Sequence, residues 1–114
     1  MSIRHASRLA IASLCLGAIA APQASAQTPS AGSKEALYTQ SLAATCANCH
    51  GTNGKAVDGS SVTSIAGLDK NYIVAQMKAF KTGTRPATVM HQISKGYSDA
   101  QIETLATYFA AQKK

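Results

Sequence analysis

The chain has little of several things. It has no tryptophan, four tyrosines and two phenylalanines among 114 residues, and charged side chains make up 14% of it. With so few aromatics and no arginine-rich run, nucleic-acid binding is not expected. There are three prolines and three cysteines. One of those, Cys15, lies in the apolar run near the start, so two remain for the body of the chain, too few for a disulfide framework. No internal repeat is visible, and no strand-like alternation surrounds the cysteines. No apolar run near the start is long enough to span a bilayer.

What stands at the N-terminus is a three-part export signal. Met1 to Arg8 is short and basic. Leu9 to about Ala21 is apolar all round, which speaks against a retained amphipathic anchor. Ala24-Ser25-Ala26 then has the form of a cleavage site. Residue 14, before Cys15, is leucine rather than the small residue a lipoprotein site wants, so Cys15 leaves with the signal. The expected organisation is a cleaved signal over 1–26, a flexible polar leader over 27–32 and one domain over 33–114. Cleavage leaves 88 residues, nine basic against five acidic side chains and a net charge of +4. Such an excess either steers an acidic redox partner or only keeps a small protein soluble. The expected compartment is the periplasm, with no stable membrane insertion after cleavage.

The stretch that organises the remainder is Cys46-Ala47-Asn48-Cys49-His50, followed by Gly51. C-x-x-C-H is the attachment signature of c-type haem. Two thiols three residues apart on a helical turn each add to one vinyl group of a single porphyrin. The next residue, histidine, then lies under the iron. Cys46 and Cys49 are the expected covalent anchors of one haem c, and His50 the proximal ligand. Gly51, lacking Cβ, is expected to let backbone pass close to the porphyrin edge. Three rivals compete. A redox dithiol wants a βαβ context. Zinc wants two more ligands, and only His50 and His91 are left to serve. A plain disulfide over so short a loop constrains little. A chain of this size has a thin core, and a covalently held porphyrin supplies what is missing, so the apoprotein is expected to be poorly folded.

The pattern of the rest is helical. Ser33 is a plausible cap for a helix from Lys34 into Cys46, with Leu37, Ser41 and Ala44 on one side and Tyr38 and Leu42 on another. Thr52 to Asp69 is irregular, with turn dipeptides at Asn53-Gly54 and Asp58-Gly59. Its Val57, Val62, Ile65 and Leu68 are available to the porphyrin. A carbonyl of this loop is expected to receive the second ring nitrogen of His50. Asp69 caps a helix over 70–81 whose Ile73, Met77 and Phe80 form an inward stripe, and Gly83 stops it. A short helix is expected within 87–96. Ser98-Asp99-Ala100-Gln101 is a capping box opening a last helix, with Ile102, Leu105, Ala106 and Phe109 on one face.

An electron carrier keeps its iron six-coordinate. The candidates for the sixth position are Met77, Met90 and His91. Met77 is explained by packing in its stripe. Met90 follows Pro86 in a segment able to lie against the distal face, and it stands 40 residues beyond His50. Its thioether would raise the reduction potential relative to a second imidazole. His91 is read as an exposed polar neighbour.

These residues resemble a small class I cytochrome c. More narrowly, Phe80-Lys81-Thr82-Gly83-Thr84-Arg85, Ala87-Thr88-Val89-Met90 and Ile93-Ser94-Lys95-Gly96-Tyr97-Ser98 resemble the cytochrome subunit of flavocytochrome c sulfide dehydrogenase. The resemblance implies an all-α fold of three to four helices around one covalent haem c. It implies Met90 as distal iron ligand, and a flavoprotein (FAD) partner that oxidises sulfide and passes electrons on. Sulfur chemistry would then belong to that partner, with this chain performing outer-sphere electron transfer. Gly59 to Val62 contains no proline, where many members of the class have one whose carbonyl orients the histidine; any backbone carbonyl of the loop could serve instead. Some members carry two haem domains, and this chain has one motif. Two alternatives stand beside it: a free-standing carrier serving other redox proteins, such as a terminal oxidase or reductase, and an enzyme acting at its own haem or dithiol.

Overall fold

The computed structural model describes residues 31–114. The expected export signal, Cys15 and the first part of the expected leader lie outside the described residues. Four α-helices follow in order: α1 (Ala31–His50), α2 (Lys70–Thr82), α3 (Met90–Ile93) and α4 (Asp99–Ala110). Single 3-10 turns occupy Thr52–Gly54 and Ser94–Gly96. Among the described residues there is no strand, and no helix is long and apolar enough to cross a membrane.

Helix α1 begins before the expected Ser33 cap and runs through the whole of Cys46 to His50. Ser33 is therefore inside the first turn. The expected faces also differ: Leu37 and Tyr38 are exposed, and Ala43 is the residue that α1 buries. Leu42 and Cys46 pack beside it on the core. The reason is steric. Ala43 meets the cluster containing Ala106 of α4, and small side chains at a crossing let two helices approach closely.

Helix α4 supplies most of the core. Ile102, Leu105, Ala106 and Phe109 are all buried, as their spacing predicts, with Ile102 at 0% and Phe109 at 2% exposure. Its start is the expected capping box: Ser98 Oγ accepts from the Gln101 amide, and Gln101 Oε1 accepts from the Ser98 amide. Helix α2 also begins and ends as its sequence predicts. Asp69 Oδ1 accepts from the Tyr72 amide at 2.9 Å, and Gly83 closes the helix in the left-handed region with its N–H on the Phe80 carbonyl. Helices α1 and α2 both pack against α4.

The irregular stretch 51–69 is ordered by its backbone. Lys55 N–H closes the Asn53-Gly54 turn onto the Thr52 carbonyl at 3.1 Å. The Gly54 carbonyl then accepts from three donors: the amides of Ile65 (2.8 Å) and Ala66 (3.0 Å) and Ser64 Oγ (2.9 Å). The Gly67 amide donates to the Phe109 carbonyl at 2.8 Å, fastening the loop to α4.

Candidate functional site

Between the end of α1, the loop, α2 and the segment 85–97 lies a cavity of about 390 Å³. That is within the range of pockets that hold small molecules and cofactors. Cys46, Cys49 and His50 all line it, and so does Met90. The four residues singled out in the sequence are thus brought to one space. Most of the remaining lining is apolar: Ile65 and Leu68 from the loop, Ile73 and Phe80 from α2, Leu105 and Phe109 from α4.

Local structure places the proximal residues. Cys46 and Cys49 fall three residues apart on the last turn of α1, with His50 ending the helix. Immediately after it, Gly51 adopts φ +79°. A Cβ there would lie 2.0 Å from the Lys55 carbonyl oxygen. The glycine is therefore required by the chain's own return, a constraint that the motif alone does not display.

His50 Nδ1 lies 2.6 Å from the Thr63 carbonyl oxygen. A carbonyl only accepts, so Nδ1 carries the proton. In the neutral ring, Nε2 is then left with a free lone pair, the state a metal-ligating histidine needs. The orienting carbonyl comes from the expected loop, one residue past the stretch that lacks proline. Nothing in the sequence marks Thr63 for this role, because every residue carries a carbonyl. Of the loop's four apolar residues, Val62, Ile65 and Leu68 line the cavity. Val57 does not; it is 77% exposed, carried outward on the turn around Asp58-Gly59.

The thiols are unpaired. Cys46 is half-buried, and that burial pushes its thiol up from the usual cysteine range, against the smaller lowering effect of the Thr45 hydroxyl beside it. A redox dithiol needs the opposite shift. Nor do three or more His, Cys, Asp or Glu side chains come together as a metal-holding group among the described residues.

On the far side, Met90 is the first residue of α3, a single helical turn within the stretch 87–96 where a short helix is expected. Met77 lines the same cavity, but it also packs against the hydrophobic core cluster, and Met90 does not. His91 is turned away from the cavity, since neighbours on a helix point in different directions. It is half-buried rather than exposed, and its Nδ1 is buried without a partner. Arg85 lines the cavity mouth. Its guanidinium lies 4.6 Å from the centre of the Phe80 ring and donates to Gln76 Oε1. Tyr97, also on the lining, donates its hydroxyl toward Thr45 Oγ1 at 2.6 Å. Neither contact was legible beforehand, because each joins elements distant in sequence or set by a turn.

A large, mostly apolar cavity, two thiols one helical turn apart, an imidazole with a fixed tautomer and two thioethers fit a covalently attached porphyrin. Comparison with known proteins agrees. The family model described as Cytochrome c matches residues 35–113. The cytochrome subunit of sulfide dehydrogenase from Chlorobaculum tepidum is 40% identical over 73 residues, 64% of this chain and 64% of that protein. The thiosulfate dehydrogenase electron acceptor of Thiomonas intermedia is 37% identical over 71 residues, 62% of this chain and 33% of that protein. Among solved structures, cytochrome c4 of Acidithiobacillus ferrooxidans superposes with a TM-score of 0.58 at 31% identity, over 76% of this chain and 53% of that one. The chain thus spans less than two thirds of the length of each of these relatives.

Proposed function

The chain belongs to the cytochrome c family and binds haem c covalently, and on that premise we propose that it is a periplasmic monohaem electron carrier. Residues 1–26 export it and are removed. Cys46 and Cys49 hold the porphyrin through thioether bonds. His50 and Met90 would hold the iron. When bound, the haem supplies one-electron exchange between ferric and ferrous states. Everything else is done by the chain. Thr63 holds the His50 ring in the tautomer that frees Nε2. The apolar lining excludes water, which together with the Met90 thioether favours a raised reduction potential.

The observation that carries this reading is the His50–Thr63 hydrogen bond at 2.6 Å. It fixes an imidazole for ligation on the wall of a cavity that both thiols and Met90 also line. The donor is a flavoprotein (FAD) subunit that oxidises sulfide. Similarity to the Chlorobaculum tepidum subunit and the three segments between Phe80 and Ser98 support that partner. A second reading, a free-standing carrier among redox proteins, is favoured by the likeness to the thiosulfate dehydrogenase electron acceptor.

Purification from the native host tests both. Pigment that stays with the polypeptide in acid-acetone supports covalent haem; pigment that washes out overturns it. Co-elution with an FAD protein that reduces the haem on adding sulfide supports the first partner. A monomer that sulfide and flavoprotein fail to reduce supports the free carrier.

A further inference from the structure

The segment that carries Met90 is short and leans on α2. Its connection across the cavity to the haem-bearing helix is a hydrogen bond between Tyr97 and Thr45. The bookkeeping of protons gives this bond a direction. Thr45 Oγ1 donates its one proton to the Leu42 carbonyl at 2.7 Å. Its contact with Tyr97 Oη at 2.6 Å must therefore be Tyr97 donating. Thr45 stands next to Cys46, and both Thr45 and Tyr97 line the cavity. Tyr97 is held at its other end as well. Its carbonyl accepts from Lys81 Nζ at 2.8 Å, and the same ammonium pairs with Asp99 at 2.9 Å. One residue thus joins α1, α2 and the start of α4, one 3-10 turn beyond the helix of Met90.

We propose that the Tyr97–Thr45 hydrogen bond is a clasp that sets how closely the Met90 segment closes over the haem, making Tyr97 and Thr45 positioning residues for the iron. The proposal rests on the reading of Met90 as axial ligand. Without the clasp, Met90 still reaches the iron, but its segment lifts more readily and an external ligand competes better. One net hydrogen bond corresponds to about a fivefold change in such an equilibrium.

The test uses the ferric holoprotein and imidazole as competing ligand. Tyr97→Phe should bind imidazole about fivefold more tightly than wild type and weaken the red absorption band of thioether-ligated ferric haem. Thr45→Val should do the same, Thr45→Ser should behave as wild type, and the Tyr97→Phe/Thr45→Val pair should do no more than either change alone. Wild-type affinity in Tyr97→Phe overturns the clasp. So do single effects that add in the pair, since they would report independent loosening. Met90→Ala separates the two claims: it must abolish the red band, and a band that survives overturns the ligand assignment on which the clasp depends.

Discussion

One wall of the cavity draws Cys46, Cys49 and His50 from the end of a single helix, whereas the other hangs Met90 on a four-residue helix that packs against α2. The first wall is local. Its spacing is fixed by helix geometry, its anchors are covalent, and its histidine is steadied by a carbonyl thirteen residues on. The second wall is tertiary. Lys81 and Thr45 fasten its far end, at Tyr97, from elsewhere in the chain. The contrast separates attachment from tuning: damage to the first wall should cost the fold, and damage to the second should change ligation with the fold retained.

Removing the anchors is the largest perturbation. Cys46→Ala with Cys49→Ala should yield a chain without covalent pigment whose far-ultraviolet helicity is mostly lost, because the cavity of about 390 Å³ loses its filler. A helical, cooperatively melting double variant would show that the porphyrin does not organise the domain. Next come two glycines that share φ +79° but differ in surroundings. Gly51, on the first wall, faces the Lys55 carbonyl, while Gly83, leading into the second, has open space around it. Gly83→Ala should cost about 1 kcal/mol for the left-handed backbone alone. Gly51→Ala should cost about 3 kcal/mol or more, since displaced backbone adds to that strain. Urea denaturation of the two holoproteins checks the difference; equal costs would mean the loop yields freely.

Met90→Ala should leave helicity near wild type while letting carbon monoxide bind the ferrous protein and lowering the reduction potential. Wild-type ferrous protein that binds carbon monoxide as readily would remove Met90 from the iron. The smallest effect belongs to Asp99. The hydrogen bond from Lys81 and its charge hold the Asp99 carboxyl below the usual carboxylate range. A group with a lowered folded pKa contributes stability above its unfolded value near 3.9, and loses it as pH falls through the folded value. Asp99→Asn should therefore be slightly less stable than wild type at pH 6 and converge with it once the pH falls below the lowered folded value. Being solvent-exposed, the pair is expected to show a shift of small size in urea midpoint. A gap that persists at the lowest pH would assign the loss to packing rather than charge.

The legible and illegible parts of this molecule divide along the same line. The haem motif, the caps Asp69 and Ser98, the stop at Gly83 and the buried face of α4 all rest on spacings of three or four residues, which a sequence displays directly. The true buried residue of α1, Ala43, was hidden because alanine fits any face, and its burial is decided by where α4 crosses. The start of α1 was missed because Ser33 suits a cap and a first turn about equally. Thr63 was hidden because its contribution is a backbone carbonyl. Tyr97 and Thr45 lie 52 residues apart, and only the fold brings them together.

The buried stripe of α4 also has a consequence for the order of events as the chain is made. Ile102, Leu105, Ala106 and Phe109 follow α1 and the loop in the sequence, so they are synthesised and emerge after them. Until they arrive, α1 and the loop have nothing to close against, and the two thiols stand open to whatever installs the pigment. Ligation can come first and the door can shut behind it.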